Sequence, residues 1–144
     1  MDGLLANDVL SACVLAWLVA QLSKPILFYV YTRQLNLRVL VSAGGMPSSH
    51  SAVVVALATR VGMDTGLASV PFALATVFAA VVMYDAAGVR RAVSVQARIL
   101  NRMLTEMLEA QHFNEERMRE LIGHTPFEVF VGALLGALSA VSLR

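Results

Sequence analysis

The first stretch able to do chemistry is Ser-Ala-Gly-Gly-Met-Pro-Ser-Ser-His-Ser, residues 42–51. Its two glycines permit unusual backbone angles, and Pro47 suits the first turn of a helix that Ser48 or Ser49 can cap. The N–H groups and the dipole of such a helix start form an anion site, to which the serine hydroxyls add donors. His50 lies beside this site, where it can hold or transfer a proton. The residues alone leave a second interpretation open, a capped helix with an interfacial histidine.

A second polar group, Tyr-Asp-Ala-Ala-Gly-Val-Arg-Arg, occupies residues 84–91 at the end of an apolar segment. An acid at such a depth in a membrane is costly unless it is paired, so Asp85 is a functional candidate with Arg90 or Arg91 as its nearest partner. A guanidinium fork fits phosphoryl oxygens, which makes both arginines candidate phosphate donors. The alternative is a structural ion pair at a helix end that the arginines anchor.

The third motif is Gly-His-Thr-Pro-Phe-Glu at residues 123–128, where Pro126 predicts a helix start. His124 and Glu128 are four residues apart, so on a helix they share a face. A carboxylate bonded to one imidazole nitrogen fixes the tautomer and makes the other nitrogen more basic, which suits a nucleophilic or general-base histidine. A capping histidine with a chance neighbour is the alternative. The remaining histidine, His112, is expected in a solvated link.

Helices must position these motifs, because four apolar segments flank them. The segments are residues 8–31, 51–63, 67–88 and 127–143. A helix needs about 20 apolar residues to cross the hydrocarbon core, so the second segment is short for a full span. In the first segment we predict a kink or a helix end at Lys24 and Pro25. In the last, Gly132 and Gly136 have the GxxxG spacing that favours close helix packing, within the chain or in a homodimer.

The composition is typical of a membrane protein and excludes other classes. Hydrophobic residues make up 58% of the 144 residues and charged residues 15%, whereas a soluble domain has about 25% charged residues. A disordered chain is therefore excluded, and the net charge of +1 gives no field that favours nucleic acid. The length fits a single domain over residues 1–144. The one cysteine, Cys13, lies in an apolar run and indicates packing.

Residues 90–123 differ from the apolar segments because they are polar and charged. Ile99, Met103 and Met107 recur at helical spacing, which predicts an amphipathic helix, then a polar link and a short helix to Leu121. The amphipathic helix can lie on the membrane surface or cover the bundle. With four crossings, nine of the eleven basic residues fall on one side of the membrane, and the positive-inside rule makes that side cytoplasmic.

The predicted fold is therefore all-α, a polytopic membrane helix bundle with about four membrane segments and an amphipathic interfacial helix. In this topology His50, Arg90, Arg91 and His124 fall near helix ends on one face of the membrane. Two histidines, arginine donors and a helix N-terminus describe a phosphoryl-transfer site. One histidine would attack phosphorus and the other would protonate the leaving oxygen. The sequence contains no P-loop, zinc-binding Cys/His set or Gly-x-Ser-x-Gly elbow.

Three runs in this order and spacing resemble the divergent branch of the type-2 phosphatidic acid phosphatase family: GGMPSSHSA, YDAAGVRR and GHTPFEVFVG. The branch is related to acid phosphatases and vanadium-dependent haloperoxidases, and the resemblance extends from Gln21 to Gly136. It implies that Ser48 binds phosphate, with Ser49 in place of the superfamily's glycine. It also implies that His50 protonates the leaving group.

By the same resemblance His124 is the nucleophile, and Glu128 replaces the superfamily's aspartate as the acid that orients it. Lys24 corresponds to the lysine of the first motif, although Arg33 follows it nine residues later where the superfamily has an arginine after seven. Met118 stands where the superfamily has an arginine, six residues before the nucleophile. Arginines elsewhere in the chain can take its place: Arg90, Arg91, Arg117 and Arg119.

These residues predict a membrane phosphatase that hydrolyses an isoprenoid or glycerolipid phosphate or pyrophosphate through a phosphohistidine at His124. His50 would be the general acid and Glu128 the orienting group. The candidate phosphate-binding residues are Ser48, Ser49, Arg90, Arg91 and Lys24. The mechanism requires no cofactor or metal, and the expected partners are the lipid substrate and membrane lipids. Two alternatives stay open: a non-catalytic protein that binds anionic lipid or phosphate, and a small transporter in which Asp85 relays protons.

Overall fold

The computed structural model describes residues 7–34, 40, 45–108 and 124–143, and within these ranges it contains helices and no strand. We number the helices in chain order: α1 Asp8–Thr32, α2 Ser49–Thr65, α3 Val70–Ala87, α4 Val89–Leu108 and α5 Pro126–Ser142. The all-α prediction is confirmed, and each predicted apolar segment forms one helix. The predicted polar link with His112 and the short helix to Leu121 lie outside the described residues.

Helix α1 is continuous over 25 residues although Pro25 lies in its interior. Of the two outcomes predicted at Lys24 and Pro25, the helix end is wrong, because α1 runs on to Thr32. A proline removes one backbone hydrogen bond, and apolar helices tolerate this loss where nearby hydroxyl groups bond the backbone. Pro25 leaves the Gln21 carbonyl without its usual helical donor, and the Ser23 hydroxyl donates to the preceding carbonyl, that of Ala20, at 2.9 Å.

Helix α2 is the centre of the bundle and contacts α1, α3 and α5. It has 17 residues and is therefore about 26 Å long, close to the roughly 30 Å of a hydrocarbon core. The segment predicted to be short thus has nearly the length that one crossing needs, because the helix extends beyond residues 51–63 at both ends.

Polar contacts show which helix ends lie together. At one end of the bundle, Arg60 of α2 contacts Asp8 at the start of α1 (2.7 Å) and donates to the Leu143 carbonyl after α5 (3.3 Å). At the other end, the Ser48 amide before α2 donates to the Glu128 carbonyl in the first turn of α5 (3.1 Å). Helices α2 and α5 are therefore parallel to each other and antiparallel to α1.

Small residues fill the interior of the bundle, and large apolar residues cover its outside. The buried core cluster is made of alanines: Ala12, Ala16, Ala20, Ala52, Ala56 and Ala140. By contrast, Trp17, Ile26 and Leu138 are 47%, 64% and 70% exposed. Helices in lipid gain nothing by hiding such side chains from lipid tails and approach each other through small residues. Since α1 and α3 are also long and apolar enough to cross a membrane, this is a helical membrane protein.

The GxxxG pair of α5 faces α2 of the same chain. A Cβ atom at Gly132 would collide with the Ser48 carbonyl oxygen, and one at Gly136 would collide with that of Ala52. The two helices approach this closely only because both positions lack a side chain. The predicted close packing therefore occurs within the chain, and the homodimer through these glycines stays a prediction.

Helix α4 has the predicted amphipathic character. Val95, Ile99 and Met103 follow one another at four-residue spacing and are 43%, 49% and 54% exposed, while Arg98 and Arg102 lie along one edge of this row. Among the described helices, α4 contacts only α3, from which it continues. Its apolar face does not cover the described bundle, which favours the membrane surface.

Candidate functional site

Two histidines from distant parts of the chain meet at one end of the bundle. The ring centroids of His50 and His124 are 6.1 Å apart, and the ring planes make an angle of 62°. His50 lies in the first turn of α2 and is half-buried, whereas His124 precedes α5 and is 1% exposed. The juxtaposition predicted from the membrane topology is therefore present.

Glu128 lies beside His124 because of the way α5 begins. The Glu128 carboxylate is 3.5 Å from Nδ1 of His124 and accepts a hydrogen bond from the Thr125 amide at 2.7 Å. The Glu128 amide in turn donates to the Thr125 hydroxyl, which completes a capping box. His124 stands outside the helix, so the two side chains do not meet on one helix face as expected. Instead the carboxylate bends back over the cap.

Ser48 is the residue that caps α2. Its hydroxyl oxygen accepts hydrogen bonds from the Ser51 amide at 3.3 Å and the Ser51 hydroxyl at 3.0 Å. Both serines are fully buried, and Ser49 is 7% exposed. Pro47 stands before the cap and not in the first helical turn, because the helix begins one residue after Ser48. The start of α2 thus brings buried hydroxyl groups and the positive end of a helix dipole to the histidine pair.

The end of α3 also lies next to the histidine pair. The His124 amide donates to the Ala86 carbonyl at 3.2 Å, which ties the loop before α5 to the motif at the end of α3. Asp85 precedes Ala86 and is half-buried. Arg90 and Arg91 belong to the first turn of α4, and the roles predicted for them concern side chains outside the described part of the structure. All three sequence motifs therefore converge at one end of the bundle.

Lys24 joins the site from α1. It is 1% exposed, and its ammonium group interacts electrostatically with the Glu128 carboxylate. Both residues line a cleft of about 310 Å³ between α1 and the start of α5. The other lining residues are Leu27, Phe28, Tyr31, Gly45, Met46, Thr125 and Phe127.

Two parts of this arrangement were missed by sequence reasoning. The Thr125 cap had a signal, because Thr-x-x-Glu before an apolar run is the pattern of a capping box. The apolar walls of the cleft had none, since Phe28, Met46 and Phe127 come from three separate segments. Among the described residues, no three His, Cys, Asp or Glu side chains converge where a metal ion could bind.

The arrangement can bring a tetrahedral anion next to two imidazoles. An in-line phosphoryl group needs a nucleophile at about 3 Å and a proton donor about 2.8 Å from the leaving oxygen. Together with the bond from phosphorus to that oxygen, these distances exceed the 6.1 Å between the ring centroids, so the anion would lie beside the line that joins the two rings. The Glu128 carboxylate favours a proton on Nδ1 of His124, which leaves the lone pair of Nε2 for attack.

Comparison with known proteins bears on this geometry. Residues 5–139 match the model of the Divergent PAP2 family. The chain is 38% identical over 151 aligned positions to "Uncharacterized membrane protein YuiD" of Bacillus subtilis (strain 168), and the match covers 97% of this chain and 96% of that protein. No solved structure matches the chain. The resemblance inferred from the three motifs is confirmed, and the chain belongs to the divergent PAP2 family.

Proposed function

We propose that this protein is a membrane phosphatase that hydrolyses a lipid phosphate or pyrophosphate through a phosphohistidine on His124. The observation that carries the proposal is the histidine pair, with the Glu128 carboxylate 3.5 Å from Nδ1 of His124. A nucleophile, an orienting acid and a proton donor are the groups that such a reaction needs.

In the first step, Nε2 of His124 attacks phosphorus, and the bond from phosphorus to the lipid oxygen breaks. His50 gives its proton to that oxygen, so a lipid alcohol leaves neutral, and a lipid monophosphate released from a pyrophosphate leaves with that oxygen protonated. Glu128 stabilises the positive charge that develops on the His124 ring.

In the second step, water attacks the phosphohistidine, and the bond from phosphorus to Nε2 breaks. His50, now neutral, accepts the proton of the attacking water, which releases inorganic phosphate and restores both histidines. The phosphoryl oxygens are held by the start of α2 with Ser48 and Ser49, by Lys24 and by Arg90 and Arg91.

The proposed site lies at a membrane boundary, which suits a substrate whose chain stays in the bilayer. We place it on the cytoplasmic face of the cell membrane in a chain with four crossings, because nine of the eleven basic residues then lie on that face. The common location of the Asp8, Arg60 and Leu143 contacts at the opposite end of the bundle supports this topology.

A second candidate is a protein that binds anionic lipid or phosphate without turnover. The burial of His124, at 1% exposure, favours it, because the nucleophile must become accessible before it can attack a substrate. The same pocket would then hold the anion without a covalent step.

Phosphate release from isoprenoid and glycerolipid phosphates by the purified protein tests both candidates. We expect the His124→Ala variant to lose activity to background and the His50→Ala variant to lose about 10²–10⁴-fold. The matched control is His112→Ala, which removes the chain's third histidine and leaves release unchanged.

Covalent labelling separates the two candidates. Substrate labelled in its phosphoryl group should leave an acid-labile, base-stable label on His124 that the His124→Ala variant lacks. Equal phosphate release by wild type and His124→Ala refutes the phosphatase mechanism. Saturable phosphate binding with neither release nor label establishes the second candidate.

A further inference from the structure

We propose that α4 lies along the membrane surface and selects anionic phospholipids, with its apolar face among the acyl chains and with Arg98 and Arg102 against the lipid phosphates. The inference concerns a surface away from the histidine pair, so it holds or fails independently of the proposed function. It adds the class of lipid that this helix recognises.

Helix α4 begins where a membrane helix ends. Gly88 alone separates the end of α3 at Ala87 from the start of α4 at Val89, and α3 is long and apolar enough to cross a bilayer. Tyr84, in the last turn of α3, is exposed on the outside of the bundle, and tyrosines of membrane helices concentrate at the level of the headgroups. The first turn of α4 therefore lies close to a lipid–water boundary.

One side of α4 is apolar, and the described helices leave it exposed. At about 100° per residue, the exposed apolar side chains span an arc of roughly 160° around the helix axis: Val93, Val95, Ile99, Leu100 and Met103. Among the described large side chains of this arc only Gln96 is polar. A helix of 20 residues is about 30 Å long, and such a face fits the boundary between headgroups and acyl chains, where water still reaches a side-chain amide.

The two described arginines of α4 lie where they can reach the headgroups. Arg98 and Arg102 are four residues apart, are both exposed and border the apolar arc beside Val95. An arginine in this position keeps its methylene groups in the apolar layer and extends its guanidinium group to the polar one. The guanidinium fork then matches two oxygens of a lipid phosphate.

The net charge of α4 determines which lipids it attracts. The sequence of α4 contains four arginines and one glutamate, so the helix has a net charge of +3. Phosphatidylcholine is zwitterionic, and its choline group repels a guanidinium group, whereas phosphatidylglycerol has a net negative charge. Each basic residue near an anionic surface favours the anionic lipid by about fivefold. We therefore expect anionic lipids to be enriched along α4.

Quenching of a fluorophore on α4 by spin-labelled lipids tests the inference. The full chain, with Cys13→Ala and a fluorophore on Met103→Cys, is placed in phosphatidylcholine vesicles. The vesicles contain a fixed fraction of either phosphatidylglycerol or phosphatidylcholine that bears a nitroxide on its acyl chain. We expect both lipids to quench and phosphatidylglycerol to quench more strongly. In 1 M salt the difference should disappear, because the Debye length is then about 3 Å.

Substitutions of the two arginines separate charge from packing. Arg98→Gln combined with Arg102→Gln should lower the preference for phosphatidylglycerol by about fivefold or more, while both lipids still quench because the apolar arc is intact. Arg98→Lys combined with Arg102→Lys keeps both charges and should keep the preference. The matched control is Arg33→Gln, which removes an exposed arginine at the end of α1, a helix that does not contact α4.

Equal quenching by the two lipids in the wild type refutes the inference, and so does a preference that the glutamine substitutions leave unchanged. If neither lipid quenches the fluorophore, a protein surface covers the apolar arc and the inference is wrong. None of these outcomes involves phosphate release, so the proposed function is tested separately.

Discussion

Replacing Gly136 by alanine is the sharpest test of how this bundle is held together. Gly136 of α5 lies against the main chain of α2 at Ala52, at the level of the alanine core. The added Cβ would lie 2.9 Å from the carbonyl carbon and 3.0 Å from Cα of Ala52, and closer still to its oxygen. These are main-chain atoms of a packed helix, so they cannot turn aside as a side chain can.

The expected cost follows from two opposing effects. Alanine is a better helix former than glycine by about 1 kcal/mol, which by itself would stabilise α5. Ordinary C···O contact requires about 3.3 Å, so α5 must instead retreat from α2 by roughly 1 Å. Overpacking of this kind costs about 1–3 kcal/mol, and the separation loses dispersion contacts along the helix pair. We expect a net loss of about 1–2 kcal/mol, which is a 5- to 30-fold change in the unfolding equilibrium constant.

The assay is reversible unfolding in mixed micelles with increasing dodecyl sulfate, followed by circular dichroism, together with cross-linking to count subunits. Gly62→Ala is the matched control, because its Cβ would meet the Phe72 ring at 2.8 Å, and a ring can rotate away. The loss of unfolding free energy at position 62 should be the smaller of the two.

One result would refute this reasoning. If Gly136→Ala keeps the wild-type unfolding free energy in monomeric protein but lowers the cross-linked dimer fraction, the glycine pair serves contact between chains. The predicted homodimer would then be the correct interpretation of the GxxxG spacing.

Three further predictions concern the two ends of the bundle and α4. Glu128→Gln keeps a capping oxygen but removes the negative charge beside His124, so phosphate release should fall about 10²–10⁴-fold with the unfolding free energy changed by less than about 1 kcal/mol. Arg60→Ala removes hydrogen bonds at the opposite end of the bundle and should lower the unfolding free energy by about 1–3 kcal/mol, with phosphate release per folded molecule unchanged. In a chain whose single cysteine is replaced by alanine, an environment-sensitive dye on Met103→Cys should report lipid in vesicles, and one on Arg98→Cys, about 140° away around the helix, should report water.

Each of these has a contradicting outcome. Full activity of Glu128→Gln would show that the carboxylate serves only the helix cap. A loss of activity in folded Arg60→Ala would mean that the two ends of the bundle are coupled. Equal aqueous signals from both labelled positions would place the apolar face of α4 away from the bilayer.

Much of the fold could be predicted, because the hydrophobicity and the length of each segment determine whether that segment forms a membrane helix. The segments containing α1, α3 and α5 were identified from their apolar runs, and Pro126 and its neighbours marked the start of α5. Whether α1 ends at Pro25 could not be predicted from the apolar run. Whether a proline ends a helix depends on how the surrounding groups satisfy the backbone, and here the helix continues to Thr32.

The convergence of the three motifs could be predicted, because crossings in alternating directions bring the helix ends at His50, Ala86 and His124 to one face of the membrane. The contacts within the site could not. The 3.5 Å approach of Glu128 to His124 depends on the capping box that bends the carboxylate back, and the cleft depends on how α1 lies against α5.

The amino-acid sequence alone determined which segments are apolar helices, which polar residues interrupt them and the family from which the motifs come. These properties reside in single segments and their spacing, so they need no knowledge of packing. Only the tertiary structure decided that the glycine pair is covered by α2 and that Lys24 and Glu128 line one cleft together with apolar residues from three separate segments. The reason is physical: such contacts are set by the rotation and depth at which helices approach each other, and small residues permit that approach without specifying it.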